Sequence, residues 1–196
     1  KIEKIFTRPV GIMIGENQYP REVFTIWTDE ERKNIGIYEV ITDSTNKKDE
    51  SYYINTNEEY TFSDEKVTRS WGTATSKRLN DENAVDENDD PVLDDDGNQV
   101  INYGLKTYKK RIIKQQASGL LEKTDWYNHK ALDDETFTIP DNIKTYRTNV
   151  RAKSNEMETK IDACNTVDEL KSLYEYTRQD DDSITRPLGE FPKEVA

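Results

Sequence analysis

The chain has 196 residues, of which 35% are charged, and its formal charge is −12 at neutral pH. This acidity argues against nucleic acid as the main partner, because binding to a phosphate backbone requires a basic surface. The single cysteine, Cys164, excludes an internal disulfide and a cysteine metal cluster. We also expect no membrane span, since the chain lacks an apolar run of the roughly 18 residues that a membrane helix needs.

Residues 1–78 are predicted to form a β-rich domain. Short segments rich in β-branched and aromatic residues, separated by polar turn residues, are typical of strands. Thr28 and Glu31 have the spacing of a capping box, which predicts a short helix that ends at Gly36. The predicted strands lie at 11–15, 22–27, 35–42, 51–54, 59–62 and 66–71.

Residues 79–103 are predicted to be an acidic linker that ends in a β-hairpin. Nine acids and no base fall between Asp81 and Asp96, and such a run usually stays solvated. The Asp96–Gly97 step lies between two short apolar segments and predicts a hairpin turn. A calcium site at Asp94 and Asp96 is the alternative. An EF-hand loop with Gly97 at its sixth position would lack a carboxylate at both ends, so the turn is favoured.

Residues 104–178 are predicted to form a helical module, which makes the fold class α+β. The first helix is expected to run for some fifteen residues from Gly104, and Pro140 with Asp141 predicts the start of a second, longer one. Thr166 to Glu169 predicts a second capping box. Residues 179–196 are predicted to be an extended or disordered arm. The apolar face of the first helix is predicted to contain Leu105, Tyr108, Ile112, Ala117 and Leu120.

Five positive charges fall within residues 106–114 of the first predicted helix. A solvated helix face is the favoured interpretation of this patch, and a nucleic-acid-binding or host-binding surface is the alternative. No internal repeat is apparent in the chain. The five bases are Lys106, Lys109, Lys110, Arg111 and Lys114.

Enzymatic chemistry finds little support in the sequence. The only histidine, His129, is predicted to lie on a loop between two helices, and no pattern of a nucleophile with a base accompanies it. The glycines do not form a phosphate-binding loop. We therefore predict a protein that is not an enzyme and that needs no cofactor.

Three motifs resemble segments of proteins of tailed bacteriophages. LLxxTDW at 120–126, followed by YRxxVR at 146–151, resembles the C-terminal module of tail proteins and tail-assembly-chaperone-like proteins. WTxEExxxxGI at 27–37 is similar to a motif nearer the N-terminal side of such chains. The resemblance implies a structural or adaptor component of the virion, associated with the tail and made in the host cytoplasm. The alternative is a transient tail-assembly chaperone that the particle does not retain.

The same resemblance implies other phage structural proteins as partners, together with a homo-oligomeric or symmetric assembly. In that family the tryptophan of the TDW segment lies at the turn that joins the helices. We expect its loss here to cost about 3–5 kcal/mol if it is buried. The residues predicted to pack or to form interfaces are Trp27, Trp71, Trp126, Tyr146 and Val150.

Overall fold

The computed structural model describes residues 1–194 and has an α+β fold, with most strands before residue 103 and the long helices after residue 104. Its internal contacts divide the chain into two compact units, residues 1–75 and the chain from residue 76 onward. Residues 79–103 belong to the second unit, whereas the sequence predicted a separate linker there.

The first unit contains a hairpin, a short helix and a three-stranded sheet. The hairpin of β1 and β2 turns at Gly15, whose φ of +59° suits a residue without a side chain. In the sheet, β6 pairs antiparallel with β5 and parallel with β3, so the strand order is β3-β6-β5. The elements are β1 (Ile12–Ile14), β2 (Asn17–Tyr19), α1 (Asp29–Asn34), β3 (Val40–Thr42), β4 (Tyr53–Ile54), β5 (Glu59–Ser63) and β6 (Lys66–Ser70), and β7 (Thr75–Ser76) follows at the boundary of the unit.

The predicted capping box of α1 is confirmed. The Thr28 side chain accepts a hydrogen bond from the Glu31 amide, and the Glu31 carboxylate accepts one from the Thr28 amide at 2.8 Å. Gly36 follows the helix with a φ of +82°, which allows the chain to reverse. The second part of the 35–42 segment forms β3, so that prediction is correct only from residue 40.

The predicted strand at 22–27 is wrong. Residues Arg21–Phe24 form a 3-10 helix, and the amides of Thr25 and Ile26 both donate to the Glu22 carbonyl, at 3.0 and 2.8 Å. These local bonds use the amides that a sheet would need. Val23 is fully buried, so the apolar pattern here marks a single anchoring side chain.

The second unit consists of a group of hairpins, four helices and a C-terminal hairpin. The α2 and α4 helices pack against each other along most of their length and supply its core. The elements are β8 (Glu82–Asn83), β9 (Ile101–Asn102), α2 (Leu105–Glu122), α3 (Asp125–Asp133), α4 (Asp141–Ala163), α5 (Val167–Ser172), β10 (Thr177–Arg178) and β11 (Ile184–Thr185).

Residues 82–102 form two short hairpins, enclosed by the pairing of β8 with β9, around a closed ring of backbone hydrogen bonds. The amide of Val92 donates to Ala84 at 3.0 Å, that of Val100 donates to Val92 at 2.9 Å, and that of Ala84 donates to Val100 at 2.8 Å. The Gln99 side-chain nitrogen lies 2.7, 3.2 and 3.1 Å from the carbonyl oxygens of residues 84, 92 and 100. We call this arrangement the hairpin ring. The three residues of the ring, at positions 84, 92 and 100, recur every eight residues. The expectation of no internal repeat is therefore wrong.

Two loops of the hairpin ring have the same hydrogen-bond pattern. The Asp86 carboxylate accepts from the amides of Asn88 and Asp90 at 2.8 and 3.0 Å. The Asp94 carboxylate accepts from the amides two and four residues further on, at 3.0 and 2.8 Å. The predicted turn at Asp-Gly is confirmed, and Gly97 has a φ of +80°. The acids of this segment therefore shape the loops.

The packed face of α2 differs from the predicted one. Ile113 is 1% exposed, whereas Ile112 is 44% exposed and Tyr108 is 54% exposed. The buried positions Leu105, Ile113 and Ala117 are multiples of four residues apart, which keeps them on one narrow stripe of the helix. Tyr108 and Ile112 lie on the neighbouring stripe and face solvent.

The short helix α5 is capped almost as predicted. The Thr166 side chain accepts from the Glu169 amide at 3.1 Å. The Glu169 carboxylate, however, accepts from the amide of Asn165 at 2.6 Å, one residue before the position expected for a capping box. The helix buries Val167 and Leu170.

The segment after Arg178 packs on the helices of its own unit. The β10 and β11 strands form a hairpin, and Leu188 is fully buried, with its amide donating to the Leu173 carbonyl at 2.9 Å. Phe191 contacts the core cluster of Ala117, Tyr146 and Val150. The predicted extended or disordered arm is therefore wrong for residues 179–194. Its last two residues lie outside the described part of the chain.

Candidate interaction site

Arg147 joins the end of α2, the turn after it and the start of α3. Its Nη1 donates to the carbonyl of Leu121 at 2.8 Å and to Oγ1 of Thr124 at 2.7 Å. Its Nη2 donates to Oδ1 of Asp125 at 2.7 Å. The Thr124 hydroxyl in turn donates to the Leu121 carbonyl at 2.9 Å. We call this network the Arg147 clamp.

The position of the clamp follows from the packing of α4. Tyr146 and Val150 are one helical turn apart and both are buried against α2, which places Arg147 at the edge of the same interface. The side chain of Arg147 is 9% exposed, so its charge needs the partners that it has. A cation is also favourable there because the last carbonyl groups of α2 carry partial negative charge.

Trp126 directly follows the clamp, but it is not buried. It is 51% exposed on α3, a helix in which no residue is buried. The large loss of stability expected for removal of a buried Trp126 therefore does not apply, because Trp126 is exposed. The prediction that His129 lies on a loop is also wrong, because Asp125–Asp133 form the helix α3. Asp125 favours the start of this helix, since a carboxylate is stabilising at a helix N-terminus.

The other two tryptophans lie in the first unit. Trp71 is 7% exposed and lies between two cations, Lys47 at 4.9 Å and Arg69 at 4.7 Å from its ring centroid. Trp27 is half-buried and packs edge-on against Tyr19, with 5.9 Å between the ring centroids. Both residues stabilise local structure within that unit.

The basic patch at 106–114 makes contacts inside the second unit. Lys106 donates to the Asp162 carbonyl at 3.0 Å, and Lys110 pairs with the Asp162 carboxylate at 2.7 Å. Lys114 pairs with Glu158 at 3.3 Å. The remaining two bases contact aromatic rings, Lys109 that of Tyr174 at 4.6 Å and Arg111 that of Tyr103 at 4.1 Å. The solvated-face interpretation holds for Arg111 and Lys114, which are exposed, and is wrong for the half-buried Lys106, Lys109 and Lys110.

One acid of the predicted linker caps α2. Asp81 accepts from the Gly104 amide at 2.7 Å and from the Thr107 hydroxyl at 2.8 Å. The hydrogen bond from the Gly104 amide is the main cause that lowers the pKa of Asp81. Asp94 is also used locally, and the amides of its own loop lower its pKa. In residues 1–194 no group of three or more carboxylate, histidine or cysteine side chains is arranged to hold a metal, Asp94 and Asp96 included.

The remaining reactive side chains have ordinary positions. His129 is exposed on α3. Cys164 follows α4 at its C-cap position and is buried, and burial raises the pKa of its thiol. Its thiol donates to the Lys160 carbonyl at 3.4 Å.

Sequence reasoning missed the residues that organise this unit. Arg147 is part of the YRxxVR motif, but nothing in the residue spacing of that motif indicates a contact with Thr124 and Asp125. The eight-residue recurrence of AVD, VLD and VIN at 84–86, 92–94 and 100–102 was the available signal for the hairpin ring. Gln99 carried no such signal, because a lone glutamine has many ordinary roles.

Across residues 1–194, the helices are all too short or too polar to cross a bilayer. Comparison with family models, with curated protein sequences and with solved structures finds no match for the chain.

Proposed function

We propose that this protein is a non-enzymatic structural or adaptor component of a tailed-phage virion, associated with the tail and acting through contacts with neighbouring subunits. The observation that carries the proposal is the Arg147 clamp. It joins LLxxTDW and YRxxVR, the two segments on which the resemblance depends, into one packed unit. The motif residues thus build a rigid support, as an assembly module requires.

The surface of the helical unit supports a role in contacts. Tyr108 and Ile112 are exposed beside the packed stripe of α2, and Trp126 is exposed on α3. Tyr108 and Ile112 are one helical turn apart, and neighbouring exposed apolar side chains supply the kind of surface that a partner can cover. A symmetric assembly of several copies, with other phage structural proteins as neighbours, is the arrangement that we propose.

Quantitative mass spectrometry of purified particles tests the proposal. We expect the protein at a constant ratio to an established tail component in every particle fraction of a density gradient. An abundant host cytoplasmic protein serves as the control for carry-over. Recovery from assembly intermediates but not from finished particles would instead favour the transient chaperone. Absence from both would refute the phage assignment.

A matched pair of variants links the particle to the clamp. Arg147→Met removes the three hydrogen bonds that Arg147 donates in the clamp, and Lys144→Met removes an exposed pair with Asp141 on the same helix. We expect incorporation into particles to fall for Arg147→Met and to stay normal for Lys144→Met. Equal incorporation of both variants would show that the clamp is not needed for assembly.

A further inference from the structure

The helix α3 is incomplete as a packed element. It spans nine residues and none of them is buried. A helix of this length is marginal by itself in water, and most helical stability in proteins comes from burial of one face. Its first turn is held through Asp125 and the Arg147 clamp. Tyr127, Asn128 and Ala131 are half-buried, whereas the apolar side chains of Trp126 and Leu132 are exposed.

Three aromatic side chains cluster on this element, with Trp126 exposed and Tyr127 and Phe137 half-buried. The ring centroids of Trp126 and Tyr127 are 3.8 Å apart with 30° between the planes, and those of Tyr127 and Phe137 are 6.3 Å apart with 24° between the planes. The planes of Trp126 and Phe137 differ by 34°. We call these three residues the α3 platform. Interface hot spots are enriched in tryptophan and tyrosine, so the platform has the chemistry of a docking surface.

The charges beside the platform specify the partner. Residues 126–137 contain three acids and one lysine, and the acids are exposed at the last residue of α3 and in the loop that follows it. The lysine, Lys130, lies over the Phe137 ring at 4.3 Å from its centroid. A twofold axis that passes through this acidic loop would bring the loops of two copies together, which like-charge repulsion disfavours. The three acids are Asp133, Asp134 and Glu135.

We propose that the α3 platform binds an amphipathic protein segment whose apolar side chains are flanked by lysine or arginine. This inference rests on the proposed function and names the chemistry of one neighbour. The apolar side chains of the segment cover the three rings, and its bases face the acidic loop.

Nuclear magnetic resonance of the full chain tests the proposal, because its three tryptophans give three indole N–H signals. The Trp126→Phe variant assigns the signal of the platform, and Trp27 and Trp71 are internal controls. The probe is a synthetic helical peptide of leucine and lysine, compared with a leucine and glutamate peptide of the same length. We expect only the Trp126 signal to shift, only with the lysine peptide, and less at high salt.

Two variants locate the contact. We expect Trp126→Ala to weaken binding of the lysine peptide roughly tenfold, as for a central interface aromatic. Leu132→Ser is the control, because Leu132 is 81% exposed on the same helix but lies about 120° around it from Trp126. Its affinity should equal that of the unaltered protein. A similar loss for both variants would mean non-specific adsorption and would overturn the proposal.

Other results also overturn it. Equal shifts of the Trp126 signal with both peptides, or no shift with either, would contradict the role proposed for the three acids. A Trp126 shift that depends on protein concentration alone would assign the platform to a second copy. A shift with the neutral sugar maltoheptaose and not with the lysine peptide would make it a glycan site. Any of these results, with the protein present in particles, would leave the proposed function intact while this inference fails.

Discussion

Asp81 and Gly104 are joined by a hydrogen bond of 2.7 Å, from the backbone amide of the glycine to the carboxylate of an aspartate 23 residues earlier. The amides of Leu105 and Lys106 also donate to the chain near Asp81, at the carbonyls of residues 78 and 79, at 2.9 and 3.1 Å. The first turn of α2 thus has its orphan amides satisfied by a distant segment rather than by a local cap. The acidic region and the helix are one structural unit for this reason.

Gly104→Ala should destabilise the second unit. A Cβ at this position would lie 2.4 Å from the Asn80 carbonyl oxygen and 2.5 Å from that of Leu79, and backbone atoms cannot move aside cheaply. We expect a loss of about 1–3 kcal/mol, as for overpacking in a filled interior. Urea unfolding followed by circular dichroism measures it.

Gly119→Ala is the matched control and should have the opposite sign. Gly119 lies within the same helix, and an added Cβ meets nothing within 4 Å. Replacing a helical glycine by alanine in open space stabilises by roughly 0.5–1 kcal/mol. Loss of stability in both variants would point to a general sensitivity of α2 and not to the contact at Asn80.

Asp81→Asn should weaken the protein at neutral pH and much less in acid. The pKa of Asp81 is lowered on folding, mainly by the Gly104 amide. Its stabilisation is therefore present above the ordinary carboxyl pKa and is lost as the pH falls through the lower folded value. We expect the difference in unfolding free energy to shrink between pH 7 and about pH 3. Glu87→Gln, which removes the same charge from an exposed loop, should show no comparable loss at neutral pH.

Arg147→Met should be among the most damaging single changes in the helical unit. The Thr124 hydroxyl and the Leu121 carbonyl lose a charged donor, and Asp125 loses its ion-pair partner. Because Asp125 is 45% exposed, water can replace part of that pair, and we expect a loss of about 2–4 kcal/mol. The control Lys144→Met should stay within about 0.5 kcal/mol. Thermal unfolding of both variants settles the comparison, and a near-neutral Arg147→Met would contradict the role of the clamp.

Gln99→Met should loosen the hairpin ring without unfolding the unit. The carbonyls of residues 84, 92 and 100 lose the side-chain amide but keep their backbone donors, so we expect a loss of about 1 kcal/mol. Hydrogen exchange should quicken at the amides of residues 84, 92 and 100. Gln115→Met, at an exposed position of α2, should leave those rates unchanged.

Trp126→Ala should cost less stability than the loss of a buried side chain nearby. Trp126 is half exposed, while Met157 on α4 is fully buried. We expect about 1 kcal/mol for Trp126→Ala and about 2–5 kcal/mol for Met157→Ala. Chemical unfolding of the two variants checks this order, and the reverse order would show that Trp126 supports the core after all.

Local signals in the sequence predicted local features well. Thr28 and Glu31 are three residues apart in the chain, and their capping box is present as expected. The prediction failed where the partner is distant. Ile112 and Ile113 are adjacent and equally apolar, and only the approach of α4 decides that the second is buried. The α3 helix was missed because its start depends on Arg147, 22 residues further along the chain.

The hairpin ring has two parts, which are the backbone ring at residues 84, 92 and 100 and the two loops attached to it. Each of its two five-residue loops closes through hydrogen bonds to its own first aspartate, and the ring is held by three backbone positions and Gln99. Either loop can therefore be replaced by one with new residues or a new length, while the backbone ring keeps its geometry. Sequence variation among related chains should accumulate in these two loops. Such changes alter the contacts with neighbouring molecules and leave the core unchanged.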